Sequence, residues 1–224
     1  MEPELFDYLE TFLSESRRAR LREVLALRTR HLTLVLDDIY QPHNLSAALR
    51  SCDAFGVQDV HLVEPRHEVE ISSDVAGGSD KWLTRYEYTG PAAGEECLAV
   101  LRRQGYRIVV TAPNIEAASP ESLDLTQRTA IVIGNETAGV SGAFERAADG
   151  WLKVPMVGFV ESLNLSVSAA LCLSELTRRL RRSDIDWRLT PAETEKLLIN
   201  WTRASIANVE AIEARWRADH PQVT

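Results

Sequence analysis

Three polar segments of the chain combine residue types that can bind an anion or act on a hydroxyl group. They are residues 41–50 (QPHNLSAALR), 133–141 (IGNETAGVS) and 154–169 (VPMVGFVESLNLSVSA). Each follows a short apolar run of the kind that forms a buried strand. Ligands of parallel α/β sheets bind beyond the carboxyl ends of the strands. The three segments therefore predict one site, assembled at one edge of a sheet.

The first segment places Asn44 and Arg50 six residues apart, which is not the same-face spacing of three or four on a helix. An asparagine just before the helix can still turn toward the strand end that Arg50 approaches. An arginine among leucines and alanines is costly to bury alone and prefers a carboxylate or a phosphate, which it can grip with two parallel bonds. Two interpretations stay open: a substrate-binding arginine, and an arginine that bridges to an internal acid such as Glu136.

The second and third segments each offer a ligand-binding turn. Gly134 directly after a strand lets a ligand approach the backbone, and Glu136 then lies at the mouth of the sheet. The alternative for Glu136 is an acid that caps the next helix. In the third segment, four polar residues recur at even spacing at the start of a helix: Ser162, Asn164, Ser166 and Ser168. A helix cap requires only one such residue. A helix N-terminus also attracts a carboxylate or a phosphate.

Several common site classes are missing from the sequence. No G-x-G-x-x-G follows a strand, no phosphate-binding G-x-x-x-x-G-K-[ST] is present, and no serine-histidine-acid set stands on recognisable motifs. Cys52, Cys97 and Cys172 are odd in number and far apart, which indicates reduced, mostly buried thiols rather than a disulfide framework or a zinc site. We therefore expect no metal.

Hydrophobic periodicity predicts alternating strands and helices. The predicted strands are residues 32–36, 60–63, 106–111, 129–133 and 151–154, and the predicted helices are residues 3–30, 42–55, 91–104, 143–148, 162–182 and a C-terminal helix from Pro191. Residues 67–90 are predicted to be a long loop with short elements. Asn44 or Ser46 is expected to cap the second helix, Gly56 to end it, and Thr190 to cap the last. Continuous apolar strands favour an α/β fold with a parallel sheet covered on both faces.

The formal net charge of −8 counts against nucleic-acid binding, but the distribution of charge matters more than the sum. Two arginine clusters are candidate phosphate-binding faces, and each could also be a solvated helix face: Arg17, Arg18, Arg20, Arg22, Arg28 and Arg30, and then Arg178, Arg179, Arg181 and Arg182. No stretch is long enough and apolar enough for a membrane helix, and the start lacks the pattern of a secretory signal. We expect a cytoplasmic protein.

Taken in order, the three polar segments resemble the SPOUT superfamily of RNA methyltransferases, and within it the tRNA (guanosine-18-2′-O)-methyltransferase branch. The resemblance runs from about Leu32 to Arg182. It implies a parallel-sheet α/β fold with a C-terminal trefoil knot, a rare exception to the avoidance of knots. It also implies a homodimer whose active site is completed across the interface. The implied organisation is a basic helical extension at residues 1–30, the methyltransferase domain at 31–183 and a helical extension at 184–224.

The resemblance also implies roles for individual residues. The implied catalytic set is Asn44, Arg50, Glu136, Ser162 and Asn164, with Ser166 a further candidate. The arginine would act on the ribose 2′-hydroxyl, either as general base or through a bound phosphate. Backbone groups near five residues would bind S-adenosyl-L-methionine (SAM): Thr111, Ala112, Gly134, Val154 and Leu163. Asn135 departs from the family, which more often has a small or apolar residue there. The first arginine cluster would contact tRNA.

The predicted function is SAM-dependent methyl transfer to a ribose 2′-hydroxyl of tRNA, at guanosine 18 in the D-loop. One alternative is an rRNA ribose methyltransferase, although only about 30 residues precede the first strand. Another is a non-catalytic RNA-binding protein of the same fold, to which the acidic net charge gives some support, but the intact Arg50, Glu136 and Asn164 count against it. A nicotinamide-dependent enzyme is disfavoured by the missing glycine fingerprint.

Overall fold

The computed structural model describes residues 2–64, 80–112 and 117–221. The chain divides into two compact units. One consists of Thr29–Trp187, and the other combines the two ends of the chain, Met1–Arg28 and Arg188–Thr224. The three polar segments of the sequence all belong to the first of these units.

A parallel sheet forms the centre of the Thr29–Trp187 unit. Its strands, within the described ranges, are β1 (Leu32–Asp37), β2 (Asp59–Glu64), β3 (Thr84–Thr89), β4 (Arg107–Thr111), β5 (Thr129–Gly134) and β6 (Gly150–Leu152). They pair in the order β3-β2-β1-β5-β4-β6, and every pairing is parallel. The predicted parallel α/β architecture is confirmed. The register places Asp37 opposite Gly134, so the polar segments after β1 and β5 begin side by side.

Helices cover both faces of this sheet. They are α3 (Pro42–Phe55), α4 (Ala93–Arg103), α5 (Gly142–Ala147) and α6 (Leu165–Arg182), with a short 3₁₀ turn at Asp80–Trp82. Leu34, Leu49 and Leu173 belong to one buried cluster, and Val35 and Phe144 to the cluster on the other face. Because every residue of β1 is buried, the continuous apolar run that predicted this strand follows directly from its packing on both faces.

Two helix starts differ from the predictions. Helix α3 begins at Pro42, with Gln41 as the N-cap residue and no side-chain capping bond, so the expected caps at Asn44 and Ser46 are wrong. Proline suits this first position because it has no N–H to satisfy. Helix α6 begins at Leu165, later than predicted, and Asn164 is its cap. At the end of α3, Gly56 adopts the predicted left-handed conformation with φ 77°.

Within the described residues, the long loop with short elements that was predicted over residues 67–90 contains two such elements, the 3₁₀ turn at Asp80–Trp82 and β3; residues 65–79 fall outside the described ranges. Among the described strands, β3 pairs only with β2 and stands at one end of the strand order, so it is an edge strand. Its burial alternates between half-buried and exposed positions, except at Tyr88. A polar, half-covered edge strand lacks the continuous apolar run that identifies its buried neighbours.

The second unit is helical. It contains α1 (Pro3–Glu10), α2 (Glu15–Leu25), α7 (Pro191–Ala204) and α8 (Val209–Asp219). The single helix predicted over residues 3–30 is wrong, because Ser14 interrupts it and caps α2 by accepting a bond from the Arg17 N–H. The predicted cap at Thr190 is confirmed as a reciprocal capping box with Glu193. The C-terminal helix is also divided, at Asn208, which has φ 53°.

Two further observations concern the described residues as a whole. None of their helices combines the length and apolar character that crossing a membrane requires. No group of three or more His, Cys, Asp or Glu side chains in these ranges could hold a metal ion.

Candidate active site

A cavity of about 170 Å³ lies at the carboxyl ends of β4, β5 and β6, beside the start of α6. All five residues predicted to bind the cofactor lie on its wall: Thr111, Ala112, Gly134, Val154 and Leu163. Glu136 and Ser162 of the predicted catalytic set line it too. The cavity thus draws on the ends of three parallel strands and one helix, as expected for this class of sheet.

Gly134 shapes the cavity through the loop that follows it. A Cβ atom at Gly134 would overlap the backbone of Gly139 and Val140, so the loop folds back against the strand end only because this residue is glycine. The Asn135 side chain holds the loop by accepting bonds from the N–H groups of Thr137 (2.8 Å) and Ala138 (3.1 Å). The sequence predicted that a ligand approaches this glycine closely. In the structure, the closest approach is made by the chain's own backbone.

Asn135 also has a bracing role. Its amide donates to the carbonyl of Asp38 at 2.9 Å, and Asp38 has a positive φ of 58°. Asp37 beside it is buried and accepts a bond from the Ser141 N–H at 2.6 Å. These bonds fasten the loop after β5 to the end of β1. Asp37 was not among the predicted residues, although two consecutive aspartates at the end of an apolar strand were a signal for it.

A hydrogen-bonded chain joins the three polar segments. Asn44 is buried, and its amide donates both to the Oε1 atom of Glu136 and to the Gln41 side-chain oxygen, the latter at 3.0 Å. The amide of Asn164 donates to Asn44 Oδ1 at 3.2 Å. One predicted catalytic residue from each segment is therefore part of a single network. Gln41 was missed by sequence reasoning, since nothing but its position before a proline marked it.

This network orients the Glu136 carboxylate while leaving the residue exposed. An ionised carboxylate only accepts hydrogen bonds, so its remaining lone pairs are available to a hydroxyl group. Asn164 meanwhile caps α6, with its Oδ1 atom accepting from the N–H (2.9 Å) and the hydroxyl (2.6 Å) of Ser166. The arrangement can bind and orient a hydroxyl beside the cavity.

Arg50 lies apart from this network. It is exposed on the second half of α3, does not line the cavity, and forms neither a hydrogen bond nor an ion pair with the described residues. The alternative of an internal bridge from Arg50 to Glu136 is not observed, because Glu136 bonds to Asn44 instead. The structure brings together Asn44, Glu136 and Asn164, with Ser162 on the cavity wall, and leaves Arg50 facing outward.

The deeper wall of the cavity is mostly apolar. Leu152, Leu165 and Cys172 contribute to it, and all three are buried. Burial raises the pKa of the Cys172 thiol to about 12, so it remains protonated and uncharged at neutral pH. All three cysteines of the chain are free and buried, which confirms that these thiols lie in the interior, as predicted.

The first arginine cluster is not one surface. Arg28 is 1% exposed, and its guanidinium stacks 5.1 Å from the centre of the Trp201 ring. Arg30 forms a 3.0 Å ion pair with Asp59, which is buried. The prediction of RNA contact is wrong for Arg28, since no phosphate reaches a buried side chain, and Arg30 is held by its ion pair. The other cluster members are exposed or half-buried: Arg17, Arg18, Arg20 and Arg22. Two of them also form ion pairs, Arg20 with Glu23 and Arg22 with Glu10.

The second arginine cluster is largely engaged in internal bonds. Arg178 pairs with Glu175 along α6. Arg179 donates to the carbonyls of Pro120 (2.6 Å) and Leu123 (2.8 Å), and Arg181 donates to the Phe55 carbonyl. Arg182 is exposed and has no partner among the described residues. Arg179 and Arg181 therefore brace α6 against neighbouring segments, whereas Arg178 and Arg182 are exposed, as the solvated-face alternative predicted.

Comparison with known proteins places these motifs in a family. Residues 31–174 match the model of the SpoU rRNA Methylase family. The chain belongs to this family. Its SpoU domain covers the sheet and most of α6, including every residue of the Asn44–Glu136–Asn164 network.

Relatives extend the similarity to most of the chain. The tRNA (guanosine(18)-2′-O)-methyltransferase of Thermus thermophilus is 41% identical over 192 residues, covering 85% of this chain and 97% of the relative. The protein of the same name from Borreliella burgdorferi is 36% identical over 205 residues, covering 92% and 93%. The similarity of this SpoU protein to both therefore continues beyond the family domain.

Solved structures agree with the fold. The A. aeolicus TrmH/SpoU tRNA modifying enzyme superposes with a TM-score of 0.74 at 31% identity, covering 87% of this chain and 98% of that one. The SpoU methyltransferase AviRb from Streptomyces viridochromogenes, solved with the cofactor AdoMet (SAM), gives a TM-score of 0.59 at 26% identity, covering 71% and 61%.

Proposed function

We propose that this chain is a SAM-dependent methyltransferase that modifies the ribose 2′-hydroxyl of guanosine 18 in tRNA. One observation carries the proposal: the Asn44–Glu136–Asn164 network adjoins a cavity walled by the five residues expected to bind SAM. Family membership and the names of the two relatives support the same reaction and substrate.

The cavity has the chemistry that SAM requires. Its wall at Leu152, Leu165 and Cys172 suits the flat adenosyl group, and strand-end backbone near Thr111, Gly134 and Val154 can bond to it. SAM supplies an electrophilic methyl group on a sulfonium centre. The task left to the protein is to align the ribose oxygen with that methyl and to help remove its proton. No residue of the chain has to form a covalent intermediate.

Each residue of the network has a definite part in this alignment. Asn44 fixes the Glu136 carboxylate, and Glu136 accepts a hydrogen bond from the 2′-hydroxyl. Asn164 locks Asn44 and, with Ser162, shapes the mouth of the cavity. Arg50 stays protonated, as arginines do, and binds a phosphate of the target nucleotide. We prefer this role to that of a general base.

We further propose that the enzyme is a homodimer in which Arg50 of the partner subunit completes each site. The support is that Arg50 faces outward from its own cavity. Apolar side chains near the cavity are also exposed: Val157 (107%), Phe159 (109%), Val160 (62%), Val167 (45%) and Leu171 (46%). A second copy burying them would remove this apolar surface from water. A trefoil knot built from residues after β5 and β6 is part of the same proposal.

One feature favours tRNA over rRNA. The chain matches the tRNA-modifying relatives over more than nine-tenths of their length. The exposed and half-buried arginines of α2 offer positive charge to the phosphates of either RNA, although Arg20 pairs with Glu23 and Arg22 with Glu10.

The test is methyl transfer from labelled SAM to unmodified tRNA and to rRNA, followed by mapping of the modified nucleotide. We expect label at the 2′-oxygen of guanosine 18 in tRNA. Label in rRNA would favour the alternative substrate. Binding of RNA without transfer, and without binding of SAM, would favour the non-catalytic alternative.

A further inference from the structure

Ser168 has a hydroxyl group for which neither the family motifs nor the polar network gives a role. It lies on the second turn of α6 and lines the cavity together with Leu165 and Cys172. The spacing of three and four residues places these side chains on one face of the helix. Ser168 is half-buried, and it is the polar member of this otherwise apolar face.

Hydroxyl groups within helices can donate to the carbonyl four residues earlier. Four residues of this chain do so at 2.7–2.9 Å: Ser46, Ser51, Thr177 and Ser205. The Ser168 hydroxyl makes no such bond, and it has no other partner among the described residues. Because Ser168 is only half-buried and lines the cavity, its hydroxyl group is available to bond to a ligand that enters there.

The position of Ser168 along α6 indicates which part of a ligand it meets. Asn164, at the start of the helix, belongs to the polar network. Ser168 lies four residues after Asn164, about 6 Å farther along the helix axis, and Cys172 lies about 12 Å from Asn164 along the same axis. Asn164 marks the reacting end, where the methyl group must lie, so Ser168 lies toward the apolar wall that suits the adenosyl half.

We propose that the Ser168 hydroxyl hydrogen-bonds the adenosyl half of SAM and so contributes to selection of the cofactor. This proposal rests on the proposed function, because it assigns the same cavity to SAM. It adds a side-chain contact to a pocket whose other expected contacts are made by backbone groups.

Isothermal titration calorimetry tests the contact with three ligands: SAM, S-adenosylhomocysteine and 5′-methylthioadenosine, which lacks the amino-acid part. We expect Ser168→Ala to weaken all three by a similar factor of about three- to tenfold, as for one lost hydrogen bond. Ser168→Cys keeps the shape of the side chain but donates poorly, so it should lose a comparable factor. The matched control is Ser174→Ala, on the same helix but exposed.

The readouts separate a binding role from a structural one. Ser168→Ala should leave the melting temperature of the ligand-free protein unchanged or slightly higher, because alanine favours helices. Unchanged affinity in Ser168→Ala overturns the proposal while leaving the proposed function intact. Full affinity in Ser168→Cys, or a loss for SAM without a loss for 5′-methylthioadenosine, also overturns it. A wild-type protein that binds none of the three ligands overturns the proposed function as well.

Discussion

The side-chain amide of Asn164 donates to Asn44 Oδ1 at 3.2 Å, joining two residues that lie 120 positions apart in the sequence. Asn44 in turn bonds to Glu136, so the start of α6 and the first turn of α3 are tied to the loop after β5. Because Asn164 also caps α6, one side chain has a stabilising role and a positioning role. Mutations can separate the two.

The Asn164→Asp variant should keep the cap and lose the network. Aspartate caps helices as well as asparagine does, but it cannot donate to Asn44 and it adds a negative charge near Glu136. We expect methyl transfer to fall at least about tenfold, with the melting temperature nearly unchanged, as measured by labelled-SAM assay and thermal denaturation. Asn164→Ala is the comparison, and it should lose about 1 kcal/mol of stability as well. Wild-type activity in Asn164→Asp would contradict the positioning role.

The Gly134→Ala variant should lose cofactor binding. The added methyl group would overlap the backbone of Gly139 and Val140, so the loop that lines the cavity must shift. Such overpacking costs about 1–3 kcal/mol. We expect a lower melting temperature and at least about tenfold weaker binding of S-adenosylhomocysteine. Gly158→Ala is the control, because a Cβ atom there has nothing within 4 Å. Equal effects of the two substitutions would refute this account.

The accessible arginines of α2 should contribute to tRNA binding through phosphates. Replacing Arg18 and Arg20 together by alanine should weaken tRNA binding. It should also reduce the slope of log affinity against log salt concentration by the amount expected for about two lost phosphate contacts. Affinity measured at several salt concentrations checks this. Arg215→Ala is the control in the same unit, on α8, with a side chain that is 86% exposed. A salt slope equal to that of the wild type would remove α2 from the RNA-binding surface.

Buried His61 should make the fold sensitive to acid. Its ring is stacked on Tyr86 with centroids 4.6 Å apart and bonds to the Tyr88 hydroxyl at 3.0 Å, and burial lowers its pKa to about 4. The unfolded chain binds this proton near pH 6.5, whereas the folded chain does not. Stability is therefore full above pH 6.5 and falls as the pH drops toward 4, by about 2 kcal/mol between pH 7 and pH 5.

Urea denaturation at pH 7 and pH 5 measures this loss. His61→Phe removes the titrating group but keeps an aromatic ring, so its stability should change less between the two pH values than that of the wild type. His43→Gln, at an exposed position on α3, should retain the wild-type dependence. If His61→Phe loses as much stability in acid as the wild type, other groups are responsible.

The sequence predicted most of the sheet and much of the site because both leave local signals. Strands such as β1 are buried on both faces and appear as continuous apolar runs, and Gly134, Glu136 and Asn164 stand directly after such runs or at a helix start. Edge strand β3 leaves no such run. The burial of Arg28 depends on Trp201, which is far along the chain. The neighbouring arginines in the sequence therefore suggested a surface position and did not indicate that Arg28 packs in the interior. Whether Arg50 faces the cavity or points away from it depends on how α3 is rotated about its own axis in the folded unit, which the sequence does not indicate.

Arg50 gives the sharpest test of the proposed dimer, because it lies off the wall of its own cavity. If each site takes Arg50 from the partner subunit, then Arg50→Ala and Glu136→Gln damage different halves of a site. A heterodimer of the two variants contains one site with both defects and one with neither. Random mixing of the subunits should therefore restore about one quarter of wild-type activity, although each variant alone is nearly inactive.

The experiment uses co-expressed variants with different tags, so that the heterodimer can be purified and assayed with labelled SAM. The purified heterodimer should have about half of the wild-type activity, since one of its two sites is intact. Mixing Glu136→Gln with Asn164→Asp is the control: both changes damage the same half of the site, so no activity should return. If Arg50 acts within its own subunit, the Arg50→Ala and Glu136→Gln pair will remain inactive. Recovery of activity therefore separates the shared site from the self-contained one.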